Sequence, residues 1–248
     1  MLLPGMPLGT TVTPRRHWVR WYSLMVCRSV SDQDIYPALD PAVVGKGFAN
    51  NGQDQPVDGQ VASLTSTNNF INFCLTTPNL KITNGQQILD GSCNPVPMGE
   101  IPSKTKMPSA KFVFPPNGGK VTANQKFTIQ MAIKNLETGN FVNADQNYFG
   151  APQQLNSQGV IQGHSHVVIE QLSSLGQTDP TDPTIFAFFK GLNGKADANG
   201  ILTADVDNGL PAGAYKLSSI NTAANHQPVL GPVAQHGSLD DAVYVSLT

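Results

Sequence analysis

Phe127-Thr128-Ile129-Gln130-Met131-Ala132-Ile133-Lys134 alternates apolar and polar side chains with a period of two. Successive residues of a strand point to opposite faces. This stretch therefore buries Phe127, Ile129, Met131 and Ile133 together and leaves Thr128, Gln130 and Lys134 on the other side. Upstream, Lys111-Phe112-Val113-Phe114 runs into Pro115-Pro116-Asn117-Gly118-Gly119, which cannot continue a strand and turns the chain back. Further strands are expected at Val160–Gln171, Thr184–Phe189, Ile201–Val206, Ala214–Ile220 and Asp241–Leu247, with Asn, Gly and Pro in each gap. Helical periodicity is almost absent. Asn199–Val206 followed by Gly209–Leu217 has the strand, tight turn, Tyr-bearing strand order of immunoglobulin-like and fibronectin-like folds. The expectation is an all-β protein, an immunoglobulin/fibronectin-like β-sandwich of roughly seven to nine strands over residues 105–248. Residues 30–104 read as an irregular N-terminal extension packed on the sandwich, with Gln60–Phe73 a short helix or strand.

Only 13% of the 248 residues are charged, against about 25% in ordinary soluble proteins, so Asn, Gln, Ser and Thr must supply the polar surface. That composition suits an extracellular setting. A net charge of −2 gives no electrostatic basis for binding nucleic acid or an anionic membrane. No run approaches the ~20 apolar residues of a membrane span. All four arginines (Arg15, Arg16, Arg20, Arg28) and both tryptophans (Trp18, Trp21) fall before Ser29, and residues 1–29 are read as an anomalous basic leader or tail, dispensable for the fold. Of the three cysteines, Cys74 and Cys93 bracket a turn-rich excursion through Pro78, Asn84-Gly85 and Gly91. They are expected to form a disulfide, leaving Cys27 unpaired; two free thiols are the alternative.

Four segments, Gln60–Cys74, Asn135–Phe141, Gly163-His164-Ser165-His166 and Ala223-Ala224-Asn225-His226-Gln227-Pro228, resemble a family of small secreted fungal proteins of uncharacterised function over about residues 35–248. Some of those proteins carry a ribosomal label, which an acidic chain poor in arginine contradicts. The resemblance implies secretion and fungal origin and supplies no reaction.

The chemistry concentrates in histidine. His164 and His166 sit two apart in an expected strand and so share a face, ~7 Å apart along it. With Gln162 and Glu170 they make that face polar, while Ile161, Val167 and Ile169 face the other way. Such a pair can converge on one ion at ~2.0–2.1 Å. His226 and His236, in Gly/Pro-rich stretches, could complete a three- or four-nitrogen set suited to Zn²⁺ or Cu²⁺, with Glu170, Asp240 or Asp241 as carboxylate ligand or partner. Imidazole must be neutral to ligate, so affinity is expected to fall as pH drops through about 6.5.

Three readings stay open at this point. The first is a secreted metal-binding protein acting at the cell surface or on a host. The second is a metal-dependent hydrolase or oxidase with Glu170 or Asp240 as general base. The third is a metal-free module for a small-molecule or carbohydrate ligand, with Phe141, Tyr148 and Phe149 as an aromatic platform. Phe186, Phe188 and Phe189 read as core. A serine hydrolase is not indicated: there is no Gly-x-Ser-x-Gly elbow, and Ser165 points away from the histidines. Neither a P-loop nor a dinucleotide fingerprint is present, so no nucleotide cofactor is expected.

Overall fold

The computed structural model describes residues 38–248 apart from 52, 55–61, 63, 87, 89, 91, 145 and 146. Cys27, the whole 1–29 segment and part of the 60–73 stretch therefore lie outside the described residues. The chain divides into two compact units, Met1–Asn69 and Phe70–Thr248. In the first, the short 3-10 turns Pro41–Val43 and Lys46–Ala49 are tied by Asn69, whose side chain accepts from the Gly45 amide at 2.8 Å and donates to the Val43 carbonyl at 2.7 Å.

The second unit is all-β. Its strands are β1 (Lys81–Ile82), β2 (Ser92–Cys93), β3 (Ser109–Phe114), β4 (Lys120–Val121), β5 (Phe127–Lys134), β6 (Leu136–Glu137), β7 (Ile161–Leu172), β8 (Phe188–Leu192), β9 (Ile201–Val206), β10 (Gly213–Ala223) and β11 (Ala242–Leu247). Two sheets form the sandwich. One runs β3-β5-β9 and the other β4-β11-β10-β7, with β6 and β8 sharing the outer edge of β7. The alternation in β5 is realised as expected: Phe127, Ile129 and Met131 are buried, and they meet Val167 and Ile169 of β7, Tyr215 and Leu217 of β10, and Val243, Val245 and Leu247 of β11. Tyr215 is 1% exposed yet donates its hydroxyl to the Pro211 carbonyl at 2.9 Å, the tyrosine corner expected of this sandwich class.

One strand departs from expectation. The segment around Thr184 forms turns, and β8 begins only at Phe188. Pro183 and the side-chain bonds from Thr184 to Asp182 hold a turn there. Consequently Phe188 alone of the three nearby phenylalanines packs against the core, while Phe186 and Phe189 are 53% and 48% exposed.

Residues 70–104 dock along the sandwich through polar bonds. Gln153 donates to the Glu100 carbonyl, the Glu100 carboxylate accepts from the Leu155 amide, and the Asn94 side chain donates to the Phe149 carbonyl. The expected Cys74–Cys93 disulfide is present, with a sequence separation of 19 and the parallel pair β1-β2 beside it. Closing a loop of that length restricts the unfolded chain by about 3 kcal/mol in the chain-entropy model. A Cys74→Ala/Cys93→Ala double variant is expected to lose most of that in urea unfolding; an unchanged midpoint would show the bridge to be inert.

Candidate metal centre

Strand parity puts His164 and His166 on the outer face of the larger sheet, opposite the core-facing Val167 and Ile169. Antiparallel pairing with β10 sets Thr222 beside His164 and Ile220 beside His166, while pairing with β8 sets Gly191 beside His166 on its other flank. Gly163 allows the β7-β10 approach at this point, since a Cβ there would meet the Thr222 carbonyl oxygen at 1.9 Å. Ser165 faces the opposite way and donates to the buried Asn221 side chain at 2.8 Å.

The third histidine arrives from the end of β10. Ala223-Ala224-Asn225-His226 is a tight turn closed by the His226 amide on the Ala223 carbonyl at 3.0 Å, with His226 in the left-handed region at φ 71°. A non-glycine residue there carries strain that the surroundings must hold. Asn225 provides the hold: its carbonyl accepts from the Phe149 amide and its side chain donates to the Asn147 carbonyl. His164, His166 and His226 thereby bring one ring nitrogen each to within 4.8 Å of one another.

Hydrogen bonds determine which nitrogens face inward. His164 Nδ1 lies 3.1 Å from the Asn140 carbonyl, and His226 Nε2 lies 2.8 Å from the Val142 carbonyl. A carbonyl only accepts, so both of those nitrogens carry the proton. The remaining nitrogens, His164 Nε2 and His226 Nδ1, stand 3.1 Å apart. In two neutral rings both are bare, and two lone pairs point into one space. Thr222 Oγ1 does not relieve them: at 3.4 and 3.3 Å from the two nitrogens of His164 it is in line with neither lone pair. A cation between the rings does relieve them. Ligand nitrogens at ~2.0–2.1 Å from a metal are separated by about 2.9 Å in square-planar and about 3.3 Å in tetrahedral coordination, bracketing the observed spacing. Among the described residues the His166 ring makes no hydrogen bond, while its backbone carbonyl accepts from Ser165 Oγ.

Burial keeps the rings of His164 and His166 neutral. His164 is fully buried, and desolvation, with repulsion from His166 and His226, pushes its pKa down to about 4 despite the Asn140 carbonyl. Desolvation and His226 push His166 down to about 4 as well. The acid limit for ligation by these two thus falls well below the 6.5 of an exposed imidazole.

The other expected members are held elsewhere. His236 is exposed in the loop before β11, outside the three-histidine group, with its Nδ1 directed at the Gly237 carbonyl. Glu170 shares the histidine face but lies near the far end of β7, where it pairs with Lys216 at 2.5 Å and accepts from Thr181. Burial works to raise its pKa, but Lys216 and Thr181 hold it below the ordinary carboxylate range. Asp240, raised chiefly by burial, accepts from the Asn221 amide at 2.6 Å and from Ser219. Asp241 accepts from the Phe112 amide and pairs with Lys111. All three carboxylates serve the fold. Glu170→Gln is accordingly expected to cost about 1–2 kcal/mol, because the half-exposed Lys216 recovers part of its hydration. Metal binding should be unchanged in calorimetry, and its loss would assign Glu170 a place in the centre.

The surroundings are completed by two backbone carbonyls and Phe189, which the sequence did not single out for the site, and by Phe141, Tyr148 and Phe149, the expected aromatic platform. The carbonyls of Asn140 and Val142 orient the rings of His164 and His226, and the ring of Phe189 stacks on His166 at 5.3 Å. Tyr148 stacks on His226 at 6.0 Å and on Phe149 at 4.0 Å, and the edge of Phe141 meets His164 at 6.1 Å. A cleft of 550 Å³ opens beside His166 and His226, lined by Phe141, Tyr148 and Phe189. Among the described residues no helix is long and apolar enough to cross a membrane.

Residues 110–248 match the family model described as the CLU5d N-terminal domain, a span that begins in β3 and includes the whole histidine group. Over 204 residues the chain is 45% identical to "Pathogenicity cluster 5 protein d" of the fungus Colletotrichum graminicola, covering 82% of this chain and 42% of that protein. It therefore spans about two-fifths of the relative's length. A fungal family, as the four quoted segments implied, is what the match supports, and the chain belongs to the CLU5d N-terminal domain family.

Proposed function

We propose that this chain is the metal-binding part of a secreted fungal protein, in which His164, His166 and His226 hold a divalent transition metal, Zn²⁺ or Cu²⁺, and that it acts at the cell surface or on a host. The observation that carries the reading is the pair of bare nitrogens, His164 Nε2 and His226 Nδ1, facing each other at 3.1 Å while their ring partners are committed to carbonyls. Such an arrangement is unfavourable without a cation and favourable with one. Secretion is supported by the Cys74–Cys93 disulfide, a bond that persists in oxidising compartments. The relative's name, with its reference to pathogenicity, supports action on a host. Binding is favoured over hydrolysis because no described carboxylate stands with the histidines to serve as general base.

The test is isothermal titration of chelator-stripped protein with ZnCl₂ and CuCl₂ at pH 7. One ion per chain is expected. His164→Ala and His226→Ala should each weaken binding on the order of 1000-fold, ~4 kcal/mol, with circular dichroism unchanged, while His236→Ala has no effect. Absence of binding to the wild-type protein would refute the centre.

A further inference from the structure

Resting on the metal reading, we infer that the cleft beside the centre receives a small phenol or catechol, whose oxygen takes the coordination position left open by the three histidines and whose ring lies among the aromatic walls. Three features lead there. The first is direction: His166 and His226 line the cleft whereas the buried His164 does not, so an ion held by all three presents its remaining position to that space. The second is shape. Phe189 lies within 29° of the His166 plane, His166 within 11° of His226, and His226 within 28° of Tyr148. These rings border the cleft, and a flat aromatic molecule can stack on the faces it meets there. Phe141, Phe189 and Ile220 are 50%, 48% and 37% exposed around it, and Gly191 contributes no side chain. A volume of 550 Å³ is within the usual range for a ligand of one or two rings.

The third feature is charge. The described lining contains no Lys, Arg, Asp or Glu. Among the described residues of the lining, phosphate and carboxylate ligands find no cationic partner besides the metal, and no carboxylate stands with the three imidazoles. A phenolic oxygen meets both conditions. On coordination its O–H bond breaks, the proton passes to solvent, and the metal–oxygen bond forms in place of a bound water; no electron is transferred. The metal makes this deprotonation accessible well below the phenol's ordinary pKa of about 10.

The experiment uses 4-nitrocatechol, whose absorption moves to longer wavelength on deprotonation, titrated into Zn²⁺-loaded full chain at pH 6 with the metal content measured before and after. A saturable shift is expected with Zn²⁺-loaded protein and none with stripped protein. Phe189→Ala and Phe141→Ala should each weaken it about 3- to 10-fold, since an aromatic pair contributes about 0.5–1.5 kcal/mol, while leaving Zn²⁺ content intact. Cyclohexane-1,2-diol, with the same donors and no ring, should not compete. If the chain takes up no Zn²⁺, the metal reading itself fails. If Zn²⁺ is bound but the probe gives no shift, shifts in both alanine variants as it does in the wild type, strips the metal, or is displaced by cyclohexanediol or cellobiose, the metal reading stands and the phenol inference is overturned.

Discussion

Saturating the stripped protein with Zn²⁺ at pH 7 is expected to raise its Tm by about 8–16 °C. That is the shift for about 4 kcal/mol, the linkage reached when free metal exceeds Kd about a thousandfold, in a domain of this size. Acid should erode the effect late. Ligation requires neutral imidazole, and His164 and His166, pushed down to about 4 by burial and by their neighbours, stay neutral at pH 5, where an exposed histidine is already protonated. The metal-free protein behaves oppositely over the same interval. Between pH 6.5 and about 4 the unfolded chain binds protons at these two positions and the folded chain does not, so stability of the stripped protein falls as pH drops through that window and levels below it. Scanning fluorimetry with and without Zn²⁺ at pH 7, 5.5 and 4 should therefore show a large gap at pH 7, a persisting gap at 5.5 and a collapsed one at 4. A Tm indifferent to Zn²⁺ at pH 7 would count decisively against the centre.

A second large effect is expected in the core. Phe112 on β3 is 3% exposed and packs between the sheets, so Phe112→Ala should cost about 3–5 kcal/mol and lower the Tm by about 6–20 °C. Its side chain faces inward, whereas the histidine group lies on the outer face of the opposite sheet. Urea unfolding should register the loss while metal affinity, measured at 20 °C on the folded fraction, stays within a factor of about two. Equal loss of both would mean that the centre is not independent of the core.

The carbonyls of Asn140 and Val142 show why part of the site could not be read from the chain. Nothing in the identity of Asn140 or Val142 announces that its backbone oxygen will orient a histidine; that follows from the fold bringing these two residues against β7 and the Ala223–His226 turn. Phe189 was expected in the core because it is apolar. The turn at Asp182–Thr184 delays β8, and the strand parity then sends its ring outward to His166. Glu170 shares the parity of His164 and His166, which correctly placed it on their face. Distance along β7 and the nearby Lys216 removed it from their chemistry.

Wherever a property depends on neighbours one or two residues apart, the chain determined it alone: the strands from Phe127, Ile201 and Ala242, the common face of His164 and His166, and the opposite, inward face of Ser165. These follow from the two-residue period of the pleat, which needs no tertiary information. The choice of His226 over His236 was different. Both lie in turn-rich sequence with nothing local to separate them, and only the folded molecule joins the Ala223–His226 turn to Asn147 and Phe149, residues some 75 positions earlier. Loop geometry is set by such long-range bonds, each the outcome of how the sheets pack. A strand can be recognised from its own residues, but the third histidine of this group was decided by the tertiary structure.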